Sequence, residues 1–132
     1  MKNLFFATFF VSLFFVSCNN EELTDNFKTG LEVVFQQGKI YQSDDNSLNF
    51  SITEINDSRC PSDVTCIWAG KADVKIEIES PQKGDIILST YNNLIDTFGI
   101  YSFELIDVSP YPVSTETIEL EDYLVTLKIE EI

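Results

Sequence analysis

The chain is expected to fold as an all-β protein, a single β-sandwich of immunoglobulin-like size with about seven strands. Three observations on residues 31–132 lead there. Apolar and polar residues alternate with period two in short runs, turn-forming residues separate the runs, and no stretch carries helical periodicity of useful length. So many short strands in about 100 residues suit a Greek-key sandwich better than a closed barrel.

Before the domain comes an address. Met1 to Asn3 carry one cation, Lys2, and Leu4 to Val16 form a thirteen-residue apolar stretch broken only by Thr8 and Ser12. This is a signal-peptide profile. As a helix it would reach about 20 Å, short of the roughly 30 Å hydrocarbon core, so cleavage is favoured over a permanent span. The segment closes on Phe15-Val16-Ser17-Cys18, which resembles the lipobox of bacterial lipoproteins, with Phe15 in place of the usual Leu. The resemblance implies removal of residues 1–17 and an acyl anchor, palmitate among its chains, on Cys18. Asn19 is not the Asp that retains some lipoproteins in the inner membrane, which implies outer-membrane delivery, to the periplasmic or the cell-surface face. Glu21-Glu22 with Asp25 resemble an acidic surface-export signal, and read equally as a solvated part of a tether over residues 18–30.

The sandwich is then assigned to residues 31–132. Leu31, Val33 and Phe35 alternate, Gly38 punctuates, and Lys39 to Gln42 resume before the turn Ser43-Asp44-Asp45-Asn46. Leu48, Phe50 and Ile52 mark another strand, with a bulge expected at Glu54 before Ile55. The clearest strand is expected over 67–79, where Ala72, Val74, Ile76 and Ile78 share one face and charged residues the other. A turn at 80–85, a short strand over 86–91 and a loop from Asn92 to about Gly99 follow. Tyr101, Phe103 and Leu105 begin a strand that Pro110 and Pro112 end, and Tyr123, Val125, Leu127 and Ile129 give the last.

Composition narrows the chemistry. The 132 residues have room for one domain, and 44% hydrophobic content is enough to build a core. A net charge of -14 repels phosphate backbones, so nucleic acid is not an expected partner. Histidine is absent, which removes Ser/His/Asp and Cys/His nucleophilic machinery. Asp44-Asp45-Asn46-Ser47 and Glu119-Glu121-Asp122 offer oxygen ligands of the kind calcium accepts, but lack the spacing and turn glycine of an EF-hand loop. No catalytic residue, metal site or cofactor is assigned.

Cys60 and Cys66 flank Pro61-Ser62-Asp63-Val64-Thr65 and, in an oxidising compartment, are expected to form a disulfide. With Cys18 taken by lipid, the odd total of three cysteines is explained. A redox-active pair would need the closer Cys-x-x-Cys spacing at a helix start.

Asp57-Ser58-Arg59-Cys60-Pro61, then Cys66-Ile67-Trp68-Ala69-Gly70-Lys71-Ala72, resembles the motif of an uncharacterised family of small bacterial envelope lipoproteins. Tyr101 to Pro112, and Asp122-Tyr123 with the terminal strand, resemble that family's closing portion, although Leu88-Ser89-Thr90 stands where Leu-Asn-Thr is expected. The resemblance supports fold and localisation and carries no activity. On physical grounds Trp68 is expected to pack its ring over the disulfide, and Gly70 to allow close backbone approach. Arg59, between Asp57 and Asp63, reads first as a charge-assisted clamp on the loop and second as a recognition cation, which makes these three a candidate interaction loop.

The function expected is that of a lipid-anchored binding or interaction module, held to the membrane through Cys18, with an envelope protein, peptide or glycan as ligand. The alternative is a protein inhibitor that presents the pinned loop 60–66 to a peptidase or toxin, since a rigid loop loses little entropy on binding. An enzyme is not expected.

Overall fold

The computed structural model describes residues 24–132. The signal peptide and the lipidation expected at Cys18 lie outside the described residues. Among the described residues nine strands make two sheets, an all-β, sandwich-like fold. The strands are β1 (Thr24–Phe27), β2 (Glu32–Gln36), β3 (Ile40–Ser43), β4 (Asn49–Asp57), β5 (Ala72–Ser80), β6 (Gly84–Ser89), β7 (Ile95–Phe98), β8 (Tyr101–Ser109) and β9 (Leu124–Glu131). One sheet has the order β1-β3-β4-β5-β6 and the other β2-β9-β8-β7. Pairing is antiparallel throughout except between β1 and β3, which run parallel.

Alternation decides which residues meet between the sheets. In β5, Ala72, Val74, Ile76 and Ile78 are buried while Asp73, Lys75 and Glu77 face outward. β9 does the same from the opposite sheet with Val125, Leu127 and Ile129. At one end of the core Phe27, Phe35, Tyr41, Phe50 and Phe103 pack with ring centroids 4.7 to 5.9 Å apart, mostly edge to face, the arrangement the ring quadrupole favours.

Two bulges reset the alternation. Thr53 has no opposing residue in β5, so Ile52 and Ile55 both point inward; the bulge falls one residue before the expected Glu54. Ile106 does the same in β8 and leaves Leu105 and Val108 both buried.

Three boundaries differ from expectation. The fold already includes Thr24–Phe27, inside the expected tether, because Phe27 is 4% exposed and locks β1 onto the aromatic cluster. A lone aromatic among polar residues shows no period. β7 lies within the expected loop between Asn92 and Gly99, and together with β1 it raises the count from about seven to nine. The strand expected from Ile67 begins only at Ala72, because Gly70 takes a left-handed φ of 68° and breaks the extended run. Among the described residues no helix is long and apolar enough to cross a membrane.

Candidate binding platform

The β4–β5 connection, residues 58–71, is not a loose loop. Backbone pairing continues past the strand ends: Ser58 N donates to Lys71 O at 2.7 Å and Cys60 N to Ala69 O at 2.9 Å. Ser58 Oγ adds a bond to Lys71 O at 2.9 Å. Gly70 makes this approach possible, since a Cβ there would overlap Ser58 O. Beyond the last rung the Cys60–Cys66 disulfide closes the tip, with Cα atoms 5.9 Å apart.

One side of the hairpin is fastened to the opposite sheet by Arg59. Its Nε and Nη2 donate to Asp57 Oδ1 and Oδ2 at 2.8 and 2.9 Å, its Nη1 to Val108 O at 2.7 Å, and its Nη2 also to Pro110 O at 3.1 Å. Tyr123 Oη donates to Asp57 Oδ2 at 2.9 Å, and the guanidinium carbon lies 4.7 Å from the Tyr111 ring centroid. The Arg59 and Asp57 side chains are only 7% and 5% exposed. Burial works against the Asp57 carboxylate, but the hydrogen bonds from Arg59 and Tyr123 outweigh it and hold its pKa below the ordinary value. Arg59 is raised, first by its bond to Asp57. Burial, then the bond to Asp57, pushes the Tyr123 phenol up to about 12.

Of the three residues expected to form an interaction loop, the structure brings Asp57 and Arg59 together and sets Asp63 apart. Asp63 accepts hydrogen bonds from Ser114 N, at 2.9 Å, and Ser114 Oγ, which hold its pKa below the ordinary value. Ser62 N donates to Pro112 O at 3.0 Å. The segment 108–114 therefore buttresses the tip along one flank.

The other flank is bare. Trp68 does not pack over the disulfide: it is 81% exposed, and its neighbour Ile67 is 94% exposed. The left-handed Gly70 takes both residues out of the inward and outward alternation of β5. Tyr91, 72% exposed, joins them from the β6–β7 turn. That turn is fixed as firmly as the tip: Ser89 N donates to Asn93 O at 2.8 Å, Asn93 Nδ2 to Ile87 O at 2.8 Å, and Thr90 N to Ala72 O at 3.0 Å. Ala72 N returns a bond to Thr90 Oγ1 at 2.9 Å. Ile67, Trp68 and Tyr91 line one groove of about 450 Å³ together with Ala69 and Gly70. Sequence reasoning missed Trp68 and Tyr91 as surface groups. The available signal was their position beside turn residues, Gly70 and Asn92-Asn93, outside any buried run.

Chemically the groove is furnished for binding. It offers aromatic and aliphatic walls, an amide at Asn92 and an ammonium at Lys71, the latter 3.4 Å from Asp73. Among the described residues no group of three His, Cys, Asp or Glu is placed to hold a metal. In the acidic turn after β3, the Asp45 carboxylate is instead taken by Ser43 Oγ at 2.6 Å and by Ser47 N and Oγ at 3.1 and 2.7 Å. No protein-family model, curated protein or solved structure matches the chain.

Proposed function

We propose that the chain is a lipid-anchored envelope protein of the outer membrane whose domain binds a partner through Ile67, Trp68 and Tyr91. The observation that carries this reading is the exposure of three large apolar side chains beside a hairpin and a turn that backbone hydrogen bonds and the disulfide hold in place. Exposing such groups is unfavourable in water, and holding them rigid removes the ordering cost that a binding loop normally meets. Trp and Tyr are also the side chains that most often dominate an interface. Five residues separate Cys18 from Thr24, a reach of at most about 20 Å, so an acyl anchor on Cys18 keeps the domain close to the membrane.

In-cell cross-linking followed by recovery of the tagged, lipidated protein tests the proposal. A reproducible partner is expected with the native chain, and its loss with Ile67→Ser/Trp68→Ala. Equal recovery by both would remove the platform from the function. The inhibitor reading keeps one observation in its favour, since loop 60–66 is pinned by both the disulfide and the Asp63–Ser114 pair and leaves Val64 exposed. Inhibition of a peptidase, lost with Val64→Asp and kept with Trp68→Ala, would select it.

A further inference from the structure

The platform continues past Tyr91. A second depression of about 380 Å³ shares Ala69, Gly70 and Tyr91 with the first and adds Leu94, Ile106 and Tyr111, all exposed, with Asp107 at its side. Sharing these residues, the two depressions form one continuous track, with Trp68 lining the first, Tyr111 the second and Tyr91 both. We infer that the track receives an extended proline-rich segment of another protein, flanked by basic residues; this rests on the reading of the platform as the binding surface.

Length is the first argument. Two linked depressions suit a ligand that stays extended, and the polyproline II conformation does so with little entropy to lose, which is how aromatic-lined grooves recognise it. The second argument is polarity. A sugar would press hydroxyls against Ile67, Leu94 and Ile106, which return no hydrogen bond, whereas proline rings are apolar at every edge. The carbonyls of such a segment are unpaired within it and can accept from Trp68 Nε1, Tyr91 Oη and the Asn92 amide. Charge is the third. The chain carries -14, Asp107 is exposed beside the track, and the two nearby cations are already paired, Arg59 with Asp57 and Lys71 with Asp73 at 3.4 Å, so a basic flank is attracted and an acidic one repelled.

Trp68 is the sole tryptophan of the chain, so its emission reports this site alone. The mature lipidated protein in phosphatidylcholine nanodiscs is titrated with a synthetic peptide of alternating proline and leucine ended by lysines. A saturable blue shift is expected, weakened several-fold by high salt and at least about tenfold by Tyr91→Ala, a substitution of an exposed side chain that leaves thermal unfolding unchanged. An alanine-for-proline version of the peptide should give no shift. The inference is overturned if the proline peptide produces no saturable change, if Tyr91→Ala binds it as tightly, or if chitin- or cellulose-derived oligosaccharides shift the emission and the peptide does not. Failure here, with a cross-linked partner still lost in Ile67→Ser/Trp68→Ala, would remove only the ligand class; failure of both would remove the platform itself.

Discussion

Arg59 grips Asp57 through two hydrogen bonds, Nε to Oδ1 at 2.8 Å and Nη2 to Oδ2 at 2.9 Å, and with its remaining donors ties the end of β4 to the end of β8. The pair converts a surface connection into a fixed mount for the residues beyond it.

Removing one partner should therefore cost more than removing both. Asp57→Ala leaves the guanidinium buried without its counter-ion, at a cost of about 3–5 kcal/mol. In the double variant Asp57→Ala/Arg59→Met, urea unfolding should show a smaller loss than in Asp57→Ala alone, and one well below the sum of the two single changes. Additive losses would mean that the pair is not coupled.

Gly70→Ala should destabilise by more than about 1 kcal/mol, because the added methyl meets Ser58 O and the left-handed φ disfavours any Cβ. Gly99→Ala is the comparison, also left-handed at φ 59° but with open space around it. A thermal unfolding midpoint for Gly70→Ala no lower than for Gly99→Ala would contradict the close approach of the two hairpin arms.

Loss of the disulfide through Cys60→Ser/Cys66→Ser should lower stability by about 2 kcal/mol, the chain-entropy value for so short a loop. The two sheets contain none of its atoms, so the domain stays folded at room temperature. Hydrogen exchange should quicken at residues 61–66 first, ahead of the β5 and β9 amides. Uniform quickening would show that the staple holds the whole fold.

The clamp also sets two pH limits. Asp57 is depressed in the folded state, so its stabilisation is complete above the ordinary aspartate value of 3.8 and is lost as pH falls through its own lower pKa. Tyr123 is raised, so the folded state keeps a proton that the unfolded state releases above the ordinary 10.0; stability falls as pH climbs from there to about 12. The alkaline loss should be on the order of 2 kcal/mol, and Tyr123→Phe should abolish that pH dependence. An unchanged alkaline slope in Tyr123→Phe would assign it to another group.

The sandwich was legible wherever a strand buries one face for several residues. Ala72 to Ile78 and Val125 to Ile129 announce themselves by alternation, and even the first bulge was visible as the slip between Ile52 and Ile55. β1 and β7 were not legible, because each is four residues long and pairs on one side only, which leaves too few apolar positions to define a period. The platform was misread for a different reason. A Trp two residues after a half-cystine reads as core when the strand is taken to start at Ile67; the neighbouring Gly70 hinted at a break, and its positive φ, which one sequence does not display, ends the extended run and leaves Ile67 and Trp68 exposed. Arg59 and Asp57 were readable as a pair from their spacing, whereas the Val108 and Pro110 carbonyls that complete the clamp lie about 50 residues away and are set by the fold.

The proposed lipid anchor is open to a separate check. Cys18→Ser should abolish incorporation of labelled palmitate, and persistent label would locate acylation elsewhere.

The central claim, that the Ile67–Trp68–Tyr91 flank is the working surface, is met most directly by site-specific photo-cross-linking in living cells. A photoreactive amino acid is placed at position 67 in one strain and at position 83, in the turn at the far end of the sandwich, in another. A discrete adduct from position 67, absent from position 83, is the predicted result. Identical adducts from both positions, or an adduct from position 83 alone, would contradict it.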